Sequence, residues 1–144
     1  MAQQTNAGPI VGPPVAAPAV SHAPAYQAYQ VLHWSFVVLP IVAGLDKFFH
    51  LLVNWDQYLS PAIPQMLHLN GHVIMMAVGV IEIVAGIIVA AKPRIGAWIV
   101  TAWLWLIVIN LMVMRSFFDI AARDFFLSMG ALALARISDE YNRS

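Results

Sequence analysis

The chain has 144 residues, of which 61% are hydrophobic and 10% charged, with zero net charge and no cysteine. A soluble domain runs at roughly 45–50% apolar and about 25% charged residues, and one this short has too little interior to hide the surplus, so the excess apolar surface faces lipid. Neutral charge removes the electrostatic case for nucleic acid or an acidic substrate, and the absence of cysteine excludes disulfides, thiol catalysis and cysteine-ligated metal clusters.

Residues 1–30 read as a flexible, uncharged Ala/Pro-rich tail with Pro9, Pro13, Pro14, Pro18 and Pro24, a composition that favours extended chain. The first charged residue is Asp46, so the start lacks the basic region of a signal peptide. Four apolar runs follow, each near the ~20 residues that cross a bilayer. They cover about 31–53, with Pro40 as an expected kink, then 68–91, 95–114 and 117–137. The turn from the second to the third is Lys92-Pro93-Arg94. Residues 54–67, with Pro61 and Pro64, read as a short re-entrant or interfacial segment, and 138–144 as a polar C-terminal tail. The expected fold is an all-α integral membrane four-helix bundle over 31–137 behind an extended tail.

Trp34, Trp55, Tyr58 and Trp98 fall near expected span ends, as interfacial aromatic residues do, whereas Trp103 and Trp105 lie deeper. Four spans put both termini on one side. That side collects Lys92, Arg94, Arg136 and Arg143, against Arg115, Arg123 and Lys47 opposite, which places both termini in the cytoplasm.

An ionisable side chain inside a span is expensive, so each should face other helices and find a partner. At 100° per residue, His68, His72, Gly79, Glu82 and Gly86 fall within an arc of about 80° on the second helix. Glycines on that face admit a close neighbouring helix, with Glu82 between them. Asp46, Lys47 and His50 share a face late in the first helix. Asp119 and Arg123 stand one turn apart on the fourth and are able to pair, and with Asp124 and Arg115 they form a candidate ionic network closing that end. Asn110, Trp103 and Met114 form one stripe on the third. Most of the charge and histidine thus gathers towards the non-cytoplasmic end, with Glu82 its deepest member.

Two chemistries compete with a structural role. The i,i+4 pairs Asp46/His50 and His68/His72 put side chains on common helical faces, from which His50, His68 and His72 are candidate metal ligands. No HExxH-type motif accompanies them. Glu82, with Lys47 and Asp46, is a candidate contact for a quinone or a lipid head group; the alternative is a bond from Glu82 to Lys47 or Asn110 that locks the helices together. No nucleophile triad, phosphate loop or redox motif is present, so no catalytic residue is assigned.

Several of these segments resemble the DoxX-like family of small four-helix membrane proteins. The residues that carry the resemblance are Gly44 to Phe48 (GLDKF), Trp55 to Leu59 (WDQYL), Gly79 to Gly86 (GVIEIVAG), the basic turn after the second helix, and Arg123 to Ala135 (RDFFLSMGALALA). It spans roughly 30–137 and leaves the tail outside. The resemblance implies a multi-pass protein of the bacterial inner membrane, with Lys47 and Glu82 as its shared polar core. It also implies a link to quinone chemistry, since some members are subunits of a thiosulfate:quinone oxidoreductase or a terminal oxidase. His50, His68 and His72 lie outside the shared pattern.

The leading functional expectation is an accessory subunit of a larger respiratory or redox-linked membrane complex, with lipid and other membrane subunits as partners and the tail as a docking arm. The alternatives are a quinone- or metal-binding redox protein built on Glu82 and the polar cluster, and a small transporter or proton path.

Overall fold

The computed structural model describes residue 12 and residues 23–141, and every regular element among them is helical. In chain order these are α1 (Ala23–Phe49), a single 3₁₀ turn (Trp55–Tyr58), α2 (Ala62–Leu67), α3 (Gly71–Ala91), α4 (Pro93–Met114) and α5 (Phe118–Tyr141). Three of them, α1, α3 and α4, are long and apolar enough to cross a membrane. The fourth expected run is also a helix, α5, but Asp119, Arg123, Asp124, Arg136, Asp139 and Glu140 leave it outside that group.

Helix α1 begins at Ala23, so residues 23–30 are its first two turns rather than part of an extended tail. Pro24 is tolerated there because first-turn N–H groups have no intrahelical acceptor to lose. Tertiary contact then holds the turns: Tyr26 and Tyr29 pack on Tyr141 at the end of α5, with ring centroids 5.4 and 5.3 Å apart. The rest of the expected tail, and with it the docking arm, lies outside the described residues. The C-terminal segment expected as a tail is helical as far as Tyr141. Pro40 is buried within α1, which continues through it as one helix.

The other end of α1 comes earlier than 53. His50 adopts a left-handed backbone (φ 51°) and ends the helix, and Asp46 captures the chain beyond it. Asp46 Oδ1 accepts the N–H groups of Leu51 (2.9 Å) and Leu52 (3.0 Å), while Oδ2 accepts the indole N–H of Trp55 (2.7 Å). His68 likewise ends α2 in the left-handed region (φ 52°), so α3 starts at Gly71, capped by the Asn70 side chain accepting from His72 N–H at 2.9 Å. Lys92 alone separates α3 from α4, which opens with Pro93 at the position where proline suits a helix start.

Helix α1 packs mainly on α3, and α4 on α5, with α3–α4 and α1–α5 contacts joining the two pairs. The α1–α3 seam is tight because it is lined by glycine. A Cβ on Gly79 would stand 2.7 Å from the carbonyl oxygen of Gly44, and one on Gly44 would stand 2.5 Å from that of Gly79. Neither position has room for any side chain. A small-residue core fills the centre, with Ala85, Val89, Ala97, Ala131, Leu134 and Ala135 at 3% exposure or less. Buried hydroxyls bond within their own helices: Thr101 donates to Ala97 O (2.7 Å) and Ser138 to Leu134 O (2.6 Å). These two hydroxyls are therefore satisfied within their own helices, as an apolar surround requires.

Candidate functional site

Four charged residues are buried among the described residues: Asp46, Lys47, Glu82 and Asp124. They gather at one end of the molecule. The α1–α3 glycine seam brings Lys47 and Glu82 together, since backbones in contact leave the side chains of adjacent turns within reach of each other. Lys47 Nζ donates to Glu82 Oε2 at 2.5 Å, with the two side chains 3% and 8% exposed. The same ammonium lies 3.8 Å above the ring centre of Trp55, a cation–π contact that balances part of its lost hydration. Glu82 Oε1 faces the indole N–H of Trp103 on α4 at 3.4 Å. One carboxylate thus links three helical elements: α3, α1 through Lys47, and α4 through Trp103.

Of the two structural partners open to Glu82 from sequence, Lys47 is the one it meets. Asn110 does something else. Its Nδ2 donates to Tyr58 O (2.7 Å) and its Oδ1 accepts from Ser60 N–H (3.1 Å), which fastens the 3₁₀ segment to α4. Asp46, expected beside Lys47 as a ligand contact, is fully engaged in holding residues 51–55, and that capping also orients Trp55 beneath Lys47.

The pair opens onto a cavity of about 480 Å³ between α3, α4, α5 and the 3₁₀–α2 segment. Trp55, Tyr58, Trp103, Ile107 and Val78 supply apolar wall, and Lys47, Glu82, Asn110, Arg123 and Asp124 supply polar points. Trp55 and Tyr58, expected near span ends, are therefore walls of this cavity. Their signal in the sequence was their distance of one helical turn from each other, within a segment already marked by proline.

The ionic network of α5 differs from the expected one. Arg123 Nε donates to its neighbour Asp124 (3.0 Å), not to Asp119 one turn back. Asp124 is buried and lies on the cavity side, whereas Asp119 is exposed, and the guanidinium follows the carboxylate that has lost its water. Asp119 and Arg115 are exposed and make no ion pair among the described residues; Arg115 caps α4 with φ 53°.

The histidines divide. Because His50 and His68 each end a helix, neither i,i+4 pair shares a helical face. His50 instead stacks on His72, ring centroids 5.4 Å apart, and His72 Nδ1 lies 3.1 Å from Asp56 Oδ2. His68, at the exposed end of α2, stands apart from this group. Asp56 belongs to no helical pattern in the sequence; its signal is Asn54 two residues before it, whose side chain accepts Asp56 N–H at 3.2 Å and starts the 3₁₀ turn.

Comparison of the chain with protein-family models, curated proteins and solved structures gave no match.

Proposed function

We propose that the chain is a DoxX-like four-helix protein of the bacterial inner membrane, with α5 as its fourth membrane helix and both termini cytoplasmic. In this reading it binds an amphiphilic, carbonyl-bearing molecule of the quinone class beside Glu82. The observation that carries the reading is the cavity of about 480 Å³ with a buried Lys47–Glu82 pair at its edge. Ligand sites are typically clefts of about 300–1,000 Å³, mostly apolar with a few placed polar groups, and this cavity has that character. Lys47, Trp103 and Asn110 carry the N–H donors that a ring carbonyl needs, and the tryptophans offer faces for a flat ring. Two of the segments that resemble the family, Gly44–Phe48 and Gly79–Gly86, meet at this pair, which further supports the reading.

The test is titration of the protein in nanodiscs with a short-chain quinone, followed by tryptophan quenching. Saturation near one quinone per chain is expected, and Val78→Trp, which fills the cavity, should remove it while leaving the helical signal intact. Unsaturable partitioning that is the same in both proteins would sink the reading.

A second reading is favoured by how fully Lys47 is engaged, with Glu82, Trp55 and the carbonyl of Ala43 (3.4 Å) all around it. In this reading the pair only locks α1 to α3, and the protein is an accessory subunit of a redox-linked membrane complex. Extraction in mild detergent should then recover it with other subunits; a partner-free, monodisperse monomer argues against it.

A further inference from the structure

The group formed by His50, Asp56 and His72 stands outside the cavity and takes no part in the Lys47–Glu82 contacts. Three separate pieces of chain supply it: the residue that ends α1, the 3₁₀ turn, and the first turn of α3. One ligand atom from each lies within 4.8 Å of the others. Helix periodicity did not bring them together, since it paired His50 with Asp46 and His72 with His68. The left-handed backbone at His50 turns the chain off the axis of α1, and its ring then lies on that of His72.

We propose that His50, Asp56 and His72 form a binding site for a divalent first-row transition ion. Two imidazoles and one carboxylate are a donor set such ions favour, leaving further positions for water or another ligand. Tetrahedral ligands at about 2.1 Å from one ion stand about 3.4 Å apart, and the 3.1 Å between His72 Nδ1 and Asp56 Oδ2 already has that scale. His50 and His72 are only partly covered, so their rings are free to rotate the remaining distance.

A second observation points the same way. Asp56 Oδ1 is shut off from solvent and has no hydrogen-bond partner among the described residues. A carboxylate oxygen in that condition is unfavourable unless a cation or donor reaches it, and an ion held by Oδ2 and the two histidines neutralises the whole group. An ordinary surface histidine–aspartate pair accounts for the 3.1 Å contact but leaves Oδ1 unexplained.

An ion here ties the end of α1 to the start of α3 through the segment that carries Trp55 and Tyr58. It therefore acts as a clasp on the loop that walls the cavity. The site stands on its own geometry and does not depend on what the cavity binds.

The experiment is equilibrium dialysis of the detergent-solubilised full chain against Zn²⁺ alone, with Co²⁺ absorption as a report on the ligand field. One equivalent per chain is expected, with Co²⁺ bands of a low-coordinate nitrogen and oxygen site. Loss of a ligand in His72→Ala or Asp56→Asn should weaken binding by more than the about 10-fold that even an outer-shell partner can command. His68→Ala should bind as the parent does, and hydrogen exchange across residues 51–70 should slow with Zn²⁺ in the parent but not in His72→Ala. No stoichiometric Zn²⁺, or equal binding by the parent and both ligand variants, would overturn the proposal. So would loss of binding in His68→Ala with retention in His72→Ala. Because all three side chains are at the surface or near it, circular dichroism of each variant will establish that its helices are intact.

Discussion

Replacing Glu82 by Gln removes the only carboxylate, among the described residues, that hydrogen-bonds Lys47, and leaves an ammonium that is 3% exposed with only the more distant buried Asp124 as counter-charge. Breaking one side of a buried pair costs about 3–5 kcal/mol, because the remaining charge keeps its desolvation penalty and loses its compensation. For a chain of this size about 3–4 °C of melting temperature corresponds to each kcal/mol. The expected loss is therefore about 10–20 °C, measured by far-ultraviolet circular dichroism in one detergent at fixed protein concentration. The double variant Lys47→Met/Glu82→Gln removes both charges, and replacing a whole buried pair is often neutral or stabilising. It should recover to within about 1 kcal/mol of the parent, so the double-mutant cycle carries a large coupling energy. A shift below about 3 °C in Glu82→Gln, or a double variant whose loss is the sum of the two singles, would refute the claim that this pair is what holds α1 to α3 at that end.

Two further substitutions probe how the site is assembled. Gly79→Ala places a Cβ 2.7 Å from Gly44 O, where rigid backbone on both sides must separate, and an overpacking loss of about 1–3 kcal/mol is expected in the same melting assay. Gly71→Ala, whose Cβ would meet nothing nearer than Leu59 at 3.5 Å, should be tolerated. Asn110→Ala strips both bonds to the 3₁₀ segment and leaves the N–H of buried Ser60 unpaired, a loss of about 1–3 kcal/mol. Its signature should be faster hydrogen exchange at residues 58–63, with the α1–α3 seam unchanged.

Much of this architecture is legible in the amino-acid sequence. Apolar runs of about twenty residues marked the long helices, and helical periodicity placed Gly79, Glu82 and Gly86 on one face of the second, with Lys47 or Asn110 left open as the partner of Glu82. All of this is local information: hydropathy, spacing and residue size act within one helix, and a small-residue face implies a neighbour. The Lys47–Glu82 contact follows once that neighbour is α1, because among the described residues no other element offers a buried cation to a buried acid. Helix ends were less legible. Ala23–Gln30 looks like loop in composition, and it is helical because Tyr26 and Tyr29 find Tyr141 more than a hundred residues away.

Only the tertiary structure decided which polar groups meet in space. Asp46 looked like a partner for ligand or metal and is instead the cap that stops α1, a role set by three donors in the following loop. Arg123 chose Asp124 over Asp119 because burial, not spacing, determines which carboxylate most needs a charge. His50 and His72, twenty-two positions apart and assigned to different faces by periodicity, became neighbours when two left-handed residues broke the helices that would have carried them apart. Sequence determined the helices and the charge at the α1–α3 seam, since both depend on short-range pattern. The cavity, the loop that walls it and the His50–Asp56–His72 group depend on how those helices end and where the loop between them is pinned, which only packing in three dimensions settles.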